Sequence, residues 1–332
     1  MNVAFLGYGT VGRALRALLD QRREALNSQF DLELIVTGVA TRRRGWIADA
    51  GGLDPDQAIA TDCGDIERWL DVAVPDVVFE TIALNPHTGQ PALDYSRLAL
   101  QRGIPVISAN KGPVVHGYHE LTALAARTHA SYRFESAVMD GAPVFSLVRE
   151  CLPLLELNAI RGVFSSTATV VLEAVEQGGS FDDGIRHAQQ LGIAEADPAY
   201  DVDGWDSAVK LCALANVLMA GALVPADVAR TGIRDLAPAD VRRAHAAGAP
   251  LRLVGEVRRT AEGLQASVRP LPCDNTGTLG VIRGATLVTH FEADVFPGGL
   301  TVTSRDPDPT TTAYGLLSDF VGIVRDINGP SA

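Results

Sequence analysis

Cysteine is scarce in this chain. Its four copies in 332 residues (Cys63, Cys151, Cys212, Cys273) stand far apart, with no Cys-x-x-Cys and no histidine nearby at ligand spacing. That speaks against a dense disulfide scaffold and a metal–thiolate module and points to reduced thiols, with a long-range disulfide as the open alternative. Positive charge is also in short supply, with 28 Lys and Arg against 40 Asp and Glu for a formal net charge of -12. A general nucleic-acid binder needs a basic face, and this composition does not provide one. Long hydrophobic runs are missing as well. The longest, Leu211 to Val224, is too short to span a bilayer and reads as a buried helix. The chain opens on an apolar strand with no leader-like segment before it, so the expectation is a soluble cytoplasmic protein that engages neither membrane nor nucleic acid. What is present, 47 % hydrophobic and 20 % charged residues, is ordinary for a folded chain. The length fits two interlocked domains.

Strands and helices alternate through the first half. Short apolar runs at Asn2–Leu6, 32–39, 76–81 and 105–109 read as strands, with a further one near 132–135. Between them, 13–26, 91–103 and 121–129 carry helical spacing. This alternation predicts an α/β fold with a Rossmann-type, doubly wound parallel sheet.

Gly7, Gly9 and Gly12 form G-x-G-x-x-G where the first strand meets the first helix. The first glycine permits the tight turn, the second lets backbone approach a pyrophosphate, and the third lets helix and strand pack closely. At this place in an alternating α/β half the motif predicts dinucleotide binding. A site built for NAD usually ends its second strand on an acid that holds the ribose 2′-hydroxyl. Here that strand ends Gly-Val-Ala-Thr and runs into Arg42, Arg43 and Arg44. Arginines there suit a 2′-phosphate, so NADP is favoured over NAD; the bland alternative is a solvated basic loop.

The second half carries a strand near 158–164, a helix over 169–177, and a helix over 181–190 that Ser180 is placed to cap. Then five carboxylates (Glu195, Asp197, Asp201, Asp203, Asp206) fall within twelve residues, and Lys210 follows Asp206 by one helical turn. Asp-Val-Asp-Gly resembles part of a calcium loop, but placing its glycine at loop position six puts Ala199 and Lys210 at the two ends, where oxygens are required. Two readings remain. One is a solvated acidic loop with an ordinary ion pair. The other is a pocket for an ammonium-bearing substrate, with Lys210 as a proton donor whose charge Asp206 manages.

At this point the chain resembles the homoserine dehydrogenases. The resemblance rests on FLGYGTVG (5–12), SANKGPVV (108–115), FESAVMDGAPV (134–144), SFDDGIRHAQQLGIAEADPAYDVDGWDSAVKLCALA (180–215) and TAYGLLSDFV (312–321). It implies NAD(P)-dependent interconversion of aspartate 4-semialdehyde and L-homoserine, on the way to threonine and methionine, by a homodimer. It also implies a dinucleotide-binding domain over 1–135, a mixed α/β catalytic and dimerisation domain over 136–310, and a C-terminal helix over 311–332 returning to the first domain. A regulatory domain that longer members carry has no counterpart here.

Carried over by position, Lys210 is implied as the general acid and Lys111 as a residue beside nicotinamide and substrate. Glu195 is implied to take the substrate ammonium, while Asp201 and Asp206 bind substrate and orient Lys210. The cofactor is implied to contact Gly7, Gly9, Thr10, Val11, Gly12, Arg42, Arg43, Thr81, Ala109, Asn110 and Lys111. A monovalent cation site, mainly of backbone carbonyls, maps to Glu135, Val138, Asp140 and Ala142. His87, His129 and His187 read as surface residues, and so does His116, with a place in the cleft lining as its alternative.

Two segments depart from the family pattern. Ser165–Val170 stands where Asn-Gly-Thr-Thr-Asn-Tyr is usual, and Arg305–Pro309 where a Gly-Ala-Gly turn is usual. Charge and rigidity in the second predict a reshaped cleft or a loop on another path. They leave room for a divergent reductase of a related amino-acid aldehyde or keto compound, or for a non-catalytic NADP-binding protein.

Overall fold

Six strands build the first sheet of the computed structural model, which describes residues 1–57, 62–194 and 197–328. In chain order its elements are β1 (Asn2–Leu6), α1 (Thr10–Gln21), α2 (Arg23–Phe30), β2 (Ile35–Thr41), β3 (Gly45–Ala48), α3 (Ile66–Ala73), β4 (Val77–Glu80), α4 (Ala92–Gln101), β5 (Val106–Ser108), α5 (Lys111–Arg127), β6 (Tyr132–Arg133) and α6 (Ser136–Met139). The strand order is β3-β2-β1-β4-β5-β6, parallel throughout except that β3 folds back antiparallel on β2. That edge hairpin and α3 are absent from the sequence reading, where 45–73 shows no long period. The run 13–26 read as one helix is two, broken at Arg22.

A larger difference concerns α5, which begins at Lys111, ten residues earlier than expected. Gly112, Pro113 and Gly117 disguise the first turns as loop. Asn110 nevertheless caps the helix by accepting from the Gly112 N–H at 2.9 Å, and proline is tolerated in a first turn.

Parallel strands buried on both faces need unbroken apolar side chains, and Val3, Phe5, Val77, Phe79 and Ile107 are fully buried. The last helix of the chain, α12 (Pro309–Asn328), joins this core through Ala313, Leu316, Leu317, Phe320, Ile323 and Val324. Phe79 stacks on Phe5 with ring centroids 5.5 Å apart and meets Phe320 at 5.7 Å. Asp319 of α12 accepts the Glu135 N–H at 2.8 Å, and the Ser136 hydroxyl donates to the Thr312 carbonyl at 2.6 Å. Residues 1–141 and the chain from Asp308 onward therefore make one compact unit, and Ala142–Pro307 makes the other.

The second unit holds β7 (Leu157–Val163), α7 (Ser166–Glu176), α8 (Phe181–Gln190), α9 (Ala199–Val202), α10 (Trp205–Leu218), β8 (Ala229–Arg230), α11 (Pro238–Ala246), β9 (Leu251–Thr260), β10 (Gly263–Pro272), β11 (Leu287–Ala293) and β12 (Leu300–Ser304). A π-helical turn at Leu147–Cys151 precedes them. The sheet runs β12-β11-β7-β9-β10-β8, antiparallel except for the β10–β8 pair. Ser180 caps α8 in a reciprocal box with Asp183, as its position predicted.

Candidate active site

Each unit carries part of the predicted residue set. In the first, Gly7 has φ +96°, and a Cβ there would sit 2.7 Å from the Thr81 carbonyl carbon. A Cβ on Gly12 would lie 3.0 Å from the Gly7 carbonyl oxygen. Gly9 is different: a Cβ there would meet nothing within 4 Å. So Gly7 and Gly12 serve close packing, whereas Gly9 borders open space beside the start of α1. Gly9 and Thr10 are exposed, Val11 is half-buried, and no side chain caps the helix. Its first N–H groups and the positive end of its dipole suit a pyrophosphate. Thr81 closes the loop from the other side, its hydroxyl donating to the Gly7 carbonyl at 3.0 Å.

The arginine run divides. Arg44 donates to the Pro55 carbonyl at 2.5 Å and the Asp56 carbonyl at 3.3 Å, so it is spent on the neighbouring loop. Arg42 and Arg43 stand exposed in the turn between β2 and β3. The loop after β3 adds a charged contact that the sequence reading did not find. Asp56 takes an ion pair from Arg13 and the Tyr8 hydroxyl at 3.3 Å, while the Arg13 guanidinium lies 4.9 Å from the centre of the Tyr8 ring. Burial first, then the Asp56 charge, pushes the Tyr8 phenol up to about 12.

Lys111 is the first residue of α5, next to buried Asn110 and half-buried Ala109. Beneath this turn lies a carboxylate that sequence reasoning missed: Glu80, fully buried at the end of β4. Its signal was a single acid closing the apolar run Val-Val-Phe. His116 is half-buried on α5, not on the surface, and its Nε2 lies 2.8 Å from the Pro86 carbonyl. His87, His129 and His187 are exposed.

The suggested cation residues are oxygen donors without nitrogen or sulfur. Glu135 and Val138 are buried, Asp140 has φ +48°, and Ala142 opens the second unit. Oxygen-only donors suit a hard ion. No cluster of three His, Cys, Asp or Glu side chains placed for a metal occurs among the described residues.

In the second unit the carboxylate cluster separates into distinct jobs. Asp197 accepts the Ala199 N–H at 3.0 Å just ahead of the short helical turn α9. Asp203 pairs with Arg234 at 2.8 Å. Asp201 is half-buried on α9, and Glu195 lies outside the described residues. Asp206 and Lys210, on α10, are both buried, with Lys210 Nζ 2.9 Å from Asp206 Oδ2 and donating to the Phe164 carbonyl at 2.7 Å. A hydrogen-bonded, buried ammonium with a carboxylate beside it is far from the solvated surface pair that spacing alone allowed. The Tyr200 hydroxyl is buried nearby, and burial together with Asp206 and Asp201 drives its phenol well above the usual range. Of the 28 basic residues in the chain, only Lys111 and Lys210 are lysines. Arginine cannot release its proton in a protein, whereas lysine can, so the two positions are chemically set apart.

The departing segments have structural jobs. Ser165 caps α7 by accepting the Ala168 N–H at 3.2 Å, Ser166 donates to the Ala285 carbonyl at 2.7 Å, and Thr167 donates to the Ile193 carbonyl at 3.1 Å. Asp306 adopts φ +46°, a left-handed conformation of the kind glycine favours. Asp308 accepts the Thr310 and Thr311 N–H groups at 2.8 and 2.9 Å, capping α12 with Pro309 in its first position.

Comparison with known proteins agrees over the whole chain. Residues 7–135 match the family model for the NAD-binding domain of homoserine dehydrogenase, and residues 143–321 match the model for homoserine dehydrogenase itself. An NAD(+)-dependent homoserine dehydrogenase from Pseudomonas canavaninivorans is 32 % identical over 97 % of this chain and 96 % of its own. The crystal structure of a putative homoserine dehydrogenase from Archaeoglobus fulgidus superposes with a TM-score of 0.84 at 31 % identity, covering 98 % of this chain and 99 % of that one. A hyperthermophilic archaeal homoserine dehydrogenase in complex with NADPH gives 0.80 at 26 %, covering 99 % and 98 %.

Proposed function

The chain belongs to the homoserine dehydrogenase family, an NAD(P)-dependent oxidoreductase acting on a CH–OH group, and from that premise we propose that it reduces aspartate 4-semialdehyde to L-homoserine with NADPH, Lys210 serving as proton donor. The observation that carries this reading is the buried Lys210 ammonium, fixed by Asp206 at 2.9 Å and the Phe164 carbonyl at 2.7 Å. These acceptors aim the Nζ, and the Asp206 carboxylate offsets its charge in a buried place. Bound nicotinamide supplies the hydride. Lys210 hands its proton to the oxygen that gains charge, and recovers it through solvent. Glu195 takes the substrate ammonium, Asp201 and Asp206 bind the substrate and orient Lys210, and Lys111, beside nicotinamide and substrate, assists orientation and charge balance.

The cofactor's pyrophosphate rests on the Gly9–Gly12 backbone, with Thr81, Ala109 and Asn110 along the wall. Arg42 and Arg43 take the 2′-phosphate; their exposure in the turn after β2 supports NADP, and Arg44 is left out because its guanidinium is committed. A monovalent cation, if bound, rests on the backbone oxygens of Glu135, Val138 and Asp140. The reading includes a homodimer and a cytoplasmic location; the free thiols of Cys151, Cys212 and Cys273 accord with the latter.

The test is purified protein with L-homoserine and NADP⁺, following the absorbance of the reduced cofactor. Turnover supports the reading. No turnover with homoserine but turnover with another hydroxy amino acid replaces the substrate. Tight cofactor binding without turnover on any candidate makes the protein a non-catalytic binder.

A further inference from the structure

Glu80 is a buried titratable group to which the reaction above gives no task. It ends β4, opposite Leu6 of β1 on one side and Ser108 of β5 on the other. Its two oxygens are fully used. Oε1 accepts the Ile82 N–H at 2.9 Å and the Asn110 side-chain amide at 3.3 Å, and Oε2 accepts the Ser108 hydroxyl at 2.6 Å.

The partners carry these bonds onward. Ser108 Oγ accepts the Asn110 N–H at 3.0 Å, the Asn110 amide also donates to the Ile82 carbonyl at 3.3 Å, and Asn110 Oδ1 accepts the Gly112 N–H at 2.9 Å. One carboxylate thus ties the end of β4, where Thr81 closes the glycine loop, to the turn that presents Lys111. These two strand ends are the carboxyl ends at which α/β sheets bind their ligands.

We propose that Glu80 is a positioning residue for the dehydrogenase reaction, holding the Ser108–Lys111 turn against the end of β4 so that Lys111 is presented in one place. This rests on the role given above to Lys111.

The network has two settings. With Glu80 ionised, four hydrogens converge on the Glu80–Ser108 pair. With Glu80 protonated, its own hydrogen points at Ser108 Oγ, and the serine hydrogen turns to the Asn110 carbonyl, already 3.4 Å away. The peptide that leads into Lys111 therefore feels the state of a side chain in the core. Burial raises the Glu80 carboxyl to about 7, against the pull of the Ser108, Ile82 and Asn110 hydrogen bonds, so both settings are populated near neutrality. Tyr132 of β6 is the titratable side chain beside it, and it stays neutral across this range because burial and the Glu80 charge raise its phenol. From α5 the nearest charged residue along the chain is Lys111, and β1 offers only Leu6.

The experiment is a double-mutant cycle of Glu80→Gln and Lys111→Ala, with Ser108→Ala as a second probe of the same relay. Steady-state rates with homoserine and NADP⁺ are measured from pH 5.5 to 9, together with thermal unfolding and cofactor affinity by fluorescence. The expected result for Glu80→Gln is kcat down about tenfold with the cofactor KM changed less than threefold, as loss of orientation predicts. The inflection near pH 7 should disappear from its kcat profile. In the Lys111→Ala background the same substitution should change kcat less than twofold. A folded Glu80→Gln with kcat within twofold of wild type overturns the proposal, as does an equal loss in both backgrounds. If Glu80→Gln does not fold, Ser108→Ala decides: a loss of about threefold that vanishes in Lys111→Ala supports positioning, and no loss refutes it. A Lys111→Ala enzyme at the wild-type rate instead sinks the role of Lys111, a failure distinct from one in which Lys111 matters and Glu80 does not.

Discussion

Replacing Glu80 with glutamine should change how the stability of the first unit depends on pH, and the size of the change follows from the fold. The carboxyl titrates near 7 when folded and near 4.5 when exposed. Its folded pKa is raised, so between these values the folded chain holds a proton that the unfolded chain has released. The Glu80 contribution to stability is then fully present below about pH 4.5 and is lost as pH rises through 7. The gap of roughly 2.5 units corresponds to about 3 kcal/mol, with no discount for screening because the group is fully buried. Glutamine carries no such proton. Its mismatched amide hydrogen costs something, but equally at every pH, and the half-buried Glu173 and buried Tyr132 are common to both proteins. Thermal unfolding at pH 5 and pH 8 is the assay. For a unit of this size the variant should gain roughly 5–10 °C on wild type between the two, whatever its starting offset. Parallel curves, with the gap between the proteins constant to within a degree, would show that Glu80 is ionised in the fold throughout and would refute the reasoning.

Other expectations follow from the same geometry. Lys210→Ala should cut turnover by roughly 10²-fold or more while cofactor affinity stays nearly intact; an unchanged rate ends its role as proton donor. Asp206→Asn removes the charge beside a buried ammonium and should cost about 3 kcal/mol in chemical denaturation, along with most of the activity. Arg42→Ala with Arg43→Ala should lower the NADP-over-NAD preference at least tenfold, read as the ratio of kcat/KM for the two cofactors; an unchanged ratio means that the 2′-phosphate is not held there. Asp308→Ala uncaps α12 and should cost about 1 kcal/mol, seen as a lower Tm of the first unit.

The glycine motif and the Asp206–Lys210 spacing were legible because each is local: a turn needs its glycines, and one helical turn puts two residues on one face. The start of α5 was not, since helix propensity counts Gly112 and Pro113 as breakers while the Asn110 cap that overrides them shows only in space. The edge hairpin β3 went unseen for a related reason, as four residues carry too little period to register. Arg42, Arg43 and Arg44 look alike in sequence, yet the loop at Pro55 and Asp56 claims only the third. Glu80 needed partners 28 and 30 residues away before its burial made sense. The acceptor that aims Lys210 is the Phe164 carbonyl, and every residue has a carbonyl.

The restriction of lysine to positions 111 and 210 also changes how the protein looks to a chemist. Its surface is nearly blind to amine reagents, since Lys210 is buried and Lys111 only half-exposed. Reductive methylation or an acylating dye reads these two side chains and the amino terminus and almost nothing else. A lysine-specific protease finds two bonds in the chain, after 111 and after 210, both inside folded helices. The native protein should therefore survive such a protease for as long as both units stay closed, and the appearance of either cut would report which unit opens first.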